Sequence, residues 1–223
     1  KDLPVMTREQ FVSFSEAVQQ ALSTADILGL RKVYIVGDGD SYHAAEGAEL
    51  AFKTVAQIAV ESMSAQRFLD YAADWMESYR PQDVLVIGIS ASGRTERVVQ
   101  SLGRARDRQA LTLALTGTAE SKLSQTADRT ALVALPDMGP SPGIRTYNAS
   151  LMGLYLLAIR LGEVRSRLKP SDAAALREEL LDLAGDMEST LSVSEQVAEA
   201  AVAFTKDANK MMFAKVSTGY KAG

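Results

Sequence analysis

Five short apolar runs alternate with longer segments of helical periodicity, and this alternation is the feature that most restricts the fold of the chain. The runs occupy residues 33–36, 58–60, 84–89, 111–115 and 131–135. Short apolar runs bounded by polar turns are typical of buried strands. The helical segments occupy residues 7–28, 41–57, 64–79, 93–108, 120–127 and 148–161. Strands that alternate with helices predict βαβ units and a parallel sheet.

The predicted architecture is an α/β fold of the flavodoxin-like type. Strands that are apolar throughout need helices on both faces of the sheet, so we expect a three-layer sandwich. Five strands fit a parallel sheet of order 2-1-3-4-5. In that order strands 1 and 3 are neighbours, and ligands bind in the crevice beyond their carboxyl ends.

The pattern divides the chain into four segments. We expect an N-terminal helical segment at residues 1–30, the α/β domain at residues 31–168 and linker helices at residues 169–208. Residues 211–214 resemble another strand, and Tyr220-x-Ala222 then repeats the Tyr42-x-Ala44 pattern that follows the first strand. Residues 209–223 are therefore predicted to begin a truncated second copy of the domain.

Apolar residues exceed what one small sheet needs. The helical segment at residues 151–161 is almost wholly apolar, and two further apolar stripes follow it. They consist of Leu176, Leu180, Leu183 and Met187, and of Val193, Val197, Ala201 and Phe204. An excess of this kind commonly marks an interface, so we expect a homodimer or a higher homo-oligomer.

Composition excludes several classes of function. The net charge of −4 and the pI near 5.2 give no basic surface for nucleic acid. The chain has no cysteine and a single histidine, which argues against disulfides and metal centres. No apolar run approaches the ~20 residues of a membrane helix, and the start of the sequence has no signal-peptide pattern. We expect a cytoplasmic protein without a metal, a membrane or a nucleic-acid partner.

The first candidate site is the loop at residues 90–95, between the strongest strand and a helix. A helix N-terminus offers free backbone N–H groups and a positive dipole end, which suit a phosphate. Gly93 lets a ligand approach the backbone closely, and Ser90, Ser92 and Thr95 add three hydroxyl groups. The alternative is that Ser92 is an ordinary N-cap.

The second candidate site is the loop at residues 37–41, after the first strand, on the other side of the predicted crevice. Gly37 and Gly39 also imitate a dinucleotide-binding turn, with Glu61 as the ribose-binding acid. That motif needs a third glycine where Tyr42 stands. We therefore expect neither a dinucleotide nor any other cofactor.

Together the two loops resemble a known family. Gly39-x-Ser41-Tyr42-His43-Ala44, followed about fifty residues later by Ser90-x-Ser92-Gly93-x-Thr95, is similar to the SIS (sugar isomerase) family. The likeness is greatest to members with two such domains in tandem, which include sugar-phosphate isomerases and deglycases of phosphorylated Amadori sugars. It spans residues 11–161 and, more weakly, the tail.

The resemblance implies a site for a phosphorylated sugar. It implies that the phosphate is bound by Ser90, Ser92, Gly93 and Thr95, and the sugar by Gly39, Asp40, Ser41, Arg145 and Thr146. The last two belong to a segment at residues 143–146 that closes over the sugar in the family. The implied reaction is aldose–ketose isomerisation or deglycation, and the alternative is a sensor that binds the sugar phosphate without chemistry.

The sequence departs from the family at the positions that matter for catalysis. Asp38 and Asp40 stand where small uncharged residues are common, and residues 64–66 lack the family's glutamate. The tandem members take their acid and base largely from the second domain. Asp40 and His43 remain as weak catalytic candidates. For Asp40 the alternative is helix capping, for His43 it is a structural role, and Asp38 is expected to face solvent.

Overall fold

The computed structural model describes residues 2–76, 80–137 and 143–219, and it describes side chains as far as residue 194. The strands are β1 (Lys32–Gly37), β2 (Ala59–Ser64), β3 (Val84–Ile89), β4 (Leu111–Thr116) and β5 (Arg129–Leu132). The helices are α1 (Leu3–Ala21), α2 (Thr24–Gly29), α3 (Asp40–Thr54), α4 (Ala65–Tyr71), α5 (Glu96–Asp107), α6 (Lys122–Thr126), α7 (Ile144–Val164) and α8 (Pro170–Gly219).

The strands form one parallel sheet of order β2-β1-β3-β4-β5. Val36 near the end of β1 lies beside Met63 of β2 and Gly88 of β3, so the carboxyl ends of these strands are level. The predicted fold class and strand order are therefore confirmed. The loops that follow β1 and β3 leave the sheet at adjacent points of one edge, which we call the carboxyl edge.

Helices cover both faces of the sheet. Because successive side chains of a strand point to opposite faces, Ile35 and Ile87 pack in one layer with α1, α3 and α7. Val36 and Val86 pack in the other layer with α4, α5 and α6. Each buried aliphatic side chain contributes about 1.5–3 kcal/mol to stability, and β1 and β3 contribute to both layers. The three-layer sandwich follows from strands that are apolar on both sides.

The N-terminal helical segment is divided in two. The sequence predicted one helix over residues 7–28, but α1 ends at Ala21 and α2 begins at Thr24. Ser23 and Asp26 form a capping box, in which the Asp26 N–H donates to Ser23 Oγ at 3.1 Å and the Ser23 N–H donates to Asp26 Oδ2 at 3.0 Å. This pair of hydrogen bonds stabilises a new helix start at Ser23.

Helix α8 packs on the domain along its first part. Arg177 pairs with Glu163 of α7, and Arg8 of α1 pairs with Glu188. Ala173 and Ala184, which belong to α8, are fully buried. No helix within the described residues is both long enough and apolar enough to cross a membrane.

The strand predicted at residues 211–214 is wrong, because α8 is helical without interruption to Gly219. No glycine or proline stands between residues 186 and 218 to end the helix. The repeated Tyr220-x-Ala222 pattern lies outside the described residues. The segment boundaries at residues 1–30, 31–168, 169–208 and 209–223 stay predictions.

Candidate functional site

The loop at residues 90–95 is a compact turn with internally paired hydroxyl groups. Ser90 is buried, and its Oγ shares a hydrogen bond of 2.8 Å with Thr95 Oγ1. The Gly93 N–H donates to the Ser90 carbonyl at 3.0 Å, which closes the turn. Ser92 is exposed at its tip. The three predicted hydroxyl residues are thus brought together at the start of α5.

Gly93 is required by this turn. Its φ of +62° lies in the left-handed region, which disfavours residues with a side chain. A Cβ built on Gly93 would also overlap Ser121 Oγ and Cβ. The Gly93 carbonyl accepts from the Leu123 N–H at 3.0 Å, which fixes the turn to the start of α6. The glycine is therefore required for close packing of the backbone against α6.

Side-chain caps are missing from the helices that follow β1, β3 and β5. Among the described residues, α3, α5 and α7 begin at Gly39, Thr95 and Gly143 without a side-chain cap hydrogen bond. By contrast, α4 and α6 are capped by Ser64 and Ser121. The first N–H groups of a helix need a partner other than the helix itself. Three helices therefore start at the carboxyl edge without a side-chain cap.

The capping alternative for Ser92 is wrong. The N-cap of α5 is Thr95, whose hydroxyl group is directed to Ser90 rather than to the helix. Ser92 Oγ accepts only from the Arg94 N–H, at 3.3 Å, among the contacts of the described residues. Its exposed hydroxyl group can therefore reorient toward a ligand.

The loop after β1 contains a second glycine with positive φ. Gly39 has φ +54° and is the N-cap of α3. Asp38 does not face solvent as expected, because its Oδ1 accepts from the Ala65 N–H at 3.1 Å and ties the loop to the start of α4. Ser41 is half-buried, and its N–H donates to the Asp38 carbonyl at 3.2 Å. One of the two carboxylates near the crevice thus has a structural task.

Asp40 is the first residue of α3 and not its cap, so the capping alternative is wrong. Its side chain is exposed, and its Oδ2 occupies the space that a Cβ on Gly143 would need. The starts of α3 and α7 are therefore in contact through this carboxylate. A negative charge in the first turn also complements the helix dipole.

His43 lies one turn further along α3, with 65% of its side chain exposed. Its Nδ1 is 3.2 Å from Glu46 Oε2. The Tyr42 hydroxyl group donates to Glu46 Oε1 at 2.8 Å, and this hydrogen bond raises the pKa of Tyr42. Glu46 thus orients both aromatic side chains, and the geometry does not decide between a structural and a catalytic role for His43.

The structure separates the roles of Arg145 and Thr146. Arg145 forms an ion pair with Asp2 at the N-terminus of α1, with 17% of its side chain exposed. Thr146 Oγ1 donates to the Gly143 carbonyl at 2.8 Å. Thr146 also lines a cavity of about 150 Å³ that reaches Ala91 of the first loop. The start of α7 is therefore adjacent to the loop at residues 90–95.

Sequence reasoning missed the contribution of the loop after β4. Gly117 lines the same cavity, and its N–H donates to the Ala91 carbonyl at 3.1 Å. Thr118 Oγ1 donates to that carbonyl as well, at 3.2 Å. The signal was present, because Thr116-Gly117-Thr118 is a third small polar turn at the carboxyl end of a strand.

The described residues contain no group of three or more acidic, histidine or cysteine side chains arranged to hold a metal.

The sequence of this α/β domain matches a known protein family. Residues 27–160, from α2 to α7, match the family model of the SIS domain, and the chain belongs to that family. The resemblance drawn from the two loops is thereby confirmed.

Particular relatives extend this finding. The isomerizing glutamine–fructose-6-phosphate aminotransferase of Halobacterium salinarum is 30% identical over 178 residues, which are 79% of this chain and 29% of that protein. The chain thus spans less than a third of the length of this relative.

Solved structures share the fold. The C-terminal domain of glucosamine-fructose-6-phosphate aminotransferase from Francisella tularensis matches with a TM-score of 0.64 at 16% identity, over 81% of this chain and 53% of that one. The Vibrio vulnificus NanR protein, solved with ManNAc-6P, matches with a TM-score of 0.58 at 17% identity, over 85% of this chain and 67% of that one.

Proposed function

We propose that this chain binds a phosphorylated sugar at the carboxyl edge of its sheet, with the phosphate at the start of α5. The observation that carries the proposal is the contrast in capping, since α3, α5 and α7 start there without side-chain caps. Free N–H groups and the positive helix end bind anions. The family, and relatives whose names include fructose-6-phosphate and ManNAc-6P, support a sugar phosphate as the anion.

The hydroxyl groups of Ser90, Ser92 and Thr95 donate to the phosphate oxygens in this proposal. The ligand replaces the Ser90–Thr95 hydrogen bond with two bonds to a charged acceptor, which are stronger. Gly39, Asp40 and Ser41 bind the sugar from the neighbouring loop. Thr146 contacts it from the 150 Å³ cavity. In this proposal Arg145 leaves its ion pair with Asp2 and pairs with the ligand instead.

The reaction we propose is aldose–ketose isomerisation or deglycation. Both move a proton between adjacent carbons and need a general base within reach of the sugar. Asp40 is the stronger candidate, because capping does not occupy its carboxylate and it borders Gly143. His43 is the second candidate. A phosphate held at α5 positions the sugar for such a step.

A sensor is the second proposal for this domain. The observation that favours it is the likeness in fold to NanR, a protein solved with ManNAc-6P. The two proposals share the binding site and differ in turnover. Incubation of the protein with a bound sugar phosphate, followed by NMR of the sugar, distinguishes them, because only an enzyme changes the C1 and C2 signals.

The binding proposal is tested with the double variant Ser92→Ala/Thr95→Ala. We expect at least a tenfold loss of affinity for fructose 6-phosphate or N-acetylmannosamine 6-phosphate in calorimetry, because a hydrogen bond to a charged group contributes about 1.5–3 kcal/mol. The matched control is Ser13→Ala/Thr54→Ala, which removes two exposed hydroxyl groups away from this loop. Equal affinity in the two double variants would contradict the proposal.

A further inference from the structure

The small cavity at the carboxyl edge lies between α7 and the loops that follow β3 and β4. Its volume of about 150 Å³ corresponds to roughly five water molecules at about 30 Å³ each. The described residues that line it are all uncharged. Its apolar walls include Val133 and Leu135, which follow β5, and Ala149 of α7. The cavity can therefore hold a small group that is largely apolar.

One hydroxyl group in this cavity has no partner. Ser150 of α7 is 3% exposed, yet its Oγ forms no hydrogen bond with another described residue. The other buried serines and threonines that the structure describes are all paired. Ser101 of α5, for example, donates to the Arg97 carbonyl at 2.8 Å. Because a buried polar group without a partner is costly, the hydroxyl group of Ser150 indicates that a ligand supplies its partner.

The cavity leads inward along α7. Thr146 and Ser150 are four residues apart, so they lie on one face of the helix, about 6 Å apart along its axis. Thr146 is exposed and Ser150 is buried, and both line the cavity. In the proposed function Thr146 contacts the sugar. A substituent of that sugar is therefore the part of the ligand that reaches Ser150.

The chemistry of the cavity restricts this substituent. A charged group, such as the ammonium group of a free amino sugar, would lose its water without gaining a charged partner among the described lining residues. A hydroxyl group alone would leave the apolar walls in contact with water. An acetyl group fits both features of the cavity, since its carbonyl oxygen accepts a hydrogen bond and its methyl group is apolar.

We propose that this cavity binds the acetyl group of an N-acetylated amino-sugar phosphate, with the Ser150 hydroxyl group donating to the amide carbonyl oxygen. The inference rests on the binding part of the proposed function and names the class of sugar. The methyl group packs against Val133, Leu135 and Ala149. An acylated nitrogen at C2 prevents formation of a ketose unless the C2–N bond is broken. This class of ligand therefore supports the sensor rather than aldose–ketose isomerisation.

Matched pairs of sugars test the inference. N-acetylmannosamine 6-phosphate and mannose 6-phosphate differ only in the group at C2, and calorimetry measures the dissociation constant of each. We expect the unmodified protein to bind the acetylated sugar at least tenfold more tightly, because a site that hydrogen-bonds one group of a ligand discriminates against a ligand without it. N-acetylglucosamine 6-phosphate and glucose 6-phosphate provide the same comparison for the other configuration at C2.

The two proposals fail in different ways in this experiment. Equal affinity within both pairs overturns the inference and leaves the proposed function intact, since all four sugars carry the phosphate. It would mean that the cavity holds only water. Absence of binding by all four sugars overturns the proposed function and this inference with it.

Variants at Ser150 locate the preference. Ser150→Ala should reduce the ratio of the two affinities at least fivefold and leave the affinity for mannose 6-phosphate unchanged. Ser150→Leu should fill the cavity and abolish the preference. The matched control is Ser101→Ala, which removes a buried helical hydroxyl group away from the cavity and should keep the ratio.

The Tm without ligand separates binding from a structural role. Ser150→Ala should not lower it, because the hydroxyl group has no hydrogen bond to lose, whereas loss of a structural hydroxyl group would lower it. A ratio of affinities that stays the same in both Ser150→Ala and Ser150→Leu overturns the inference.

Discussion

Single residues at the carboxyl edge have structural tasks beside the proposed ligand site. Gly93 illustrates this, because its positive φ and the closeness of Ser121 leave no room for a side chain. Asp38 is a second example, since its carboxylate ties the loop after β1 to the start of α4. We therefore expect a variant at either position to alter stability, whatever its effect on binding. Stability and affinity have to be measured together to separate the two effects.

Gly93→Ala should destabilise the domain by about 1–3 kcal/mol, because alanine is strained at this φ and its Cβ displaces Ser121. Urea unfolding measures this free energy. The matched control is Gly103→Ala on α5, where the nearest atom to a new Cβ is Thr126 Cγ2 at 3.9 Å. Alanine within a helix should stabilise by about 0.5–1 kcal/mol. Changes of the same sign in both variants would contradict the role given to Gly93.

Asp40→Asn separates a chemical from a structural role for the carboxylate. Since Asp40 does not cap α3, asparagine should lose only the interaction of the charge with the helix dipole and change the free energy of unfolding by no more than about 1 kcal/mol. Turnover of the sugar phosphate should fall by at least about 100-fold if Asp40 is the general base. His43→Gln is the comparison for the second candidate. A fully active Asp40→Asn enzyme excludes Asp40 as the base.

At the scale of helices and strands, the sequence predicted the elements that have a clear period and failed where the period is ambiguous. The six-residue apolar run at residues 84–89 was interpreted as a buried strand, and it forms β3. Four apolar residues at 211–214 are too few to distinguish a strand from a helical turn, and the structure has these residues in α8. The break before α2 was readable as Ser23 and Asp26 in capping-box spacing. It was hidden by apolar spacing that continued across it.

The contact between α3 and β2 should make stability depend on pH. The Ser62 N–H donates to Glu49 Oε2 at 2.9 Å, and Lys53 Nζ donates to Glu49 Oε1 at 2.5 Å. Partial burial acts to raise the pKa of Glu49, but the hydrogen bonds from Lys53 and Ser62 outweigh it and hold that pKa below its usual range. A lowered folded-state pKa gives stability that is present above the unfolded value and lost as the pH falls through the folded value.

We therefore expect the free energy of unfolding to decrease as the pH is lowered below about 4.5, the ordinary value for a glutamate. Glu49→Gln should remove part of this dependence and cost about 1–2 kcal/mol at neutral pH, in line with hydrogen bonds to a charged group. Glu9→Gln, at an exposed position of α1, controls for the loss of one negative charge. Parallel pH profiles of the two variants would show that Glu49 is not responsible.

The assembly of the site is a property of the whole molecule. The adjacency of the loops after β1 and β3 was predictable, because strand order places their carboxyl ends side by side. The contact of Gly117 with this site was not predictable, since it depends on how the end of β4 packs against Ala91. The ion pair between Arg145 and Asp2 was not predictable either, because it joins residues 143 positions apart. Long-range contacts of this kind leave no local pattern in a sequence.

Ligand binding at the proposed site should stabilise the whole domain, because that site joins the starts of α3, α5 and α7. A ligand present at 100 times its dissociation constant adds about 2.7 kcal/mol. For a chain of this size that corresponds to a rise of roughly 5–10 °C in Tm. Sulfate should reduce the response to a sugar phosphate, because both anions compete for the start of α5. Gly93→Ala should respond much less than Gly103→Ala at equal ligand concentration. A Tm that rises equally in both variants would place the anion elsewhere and refute the assignment of the loop at residues 90–95.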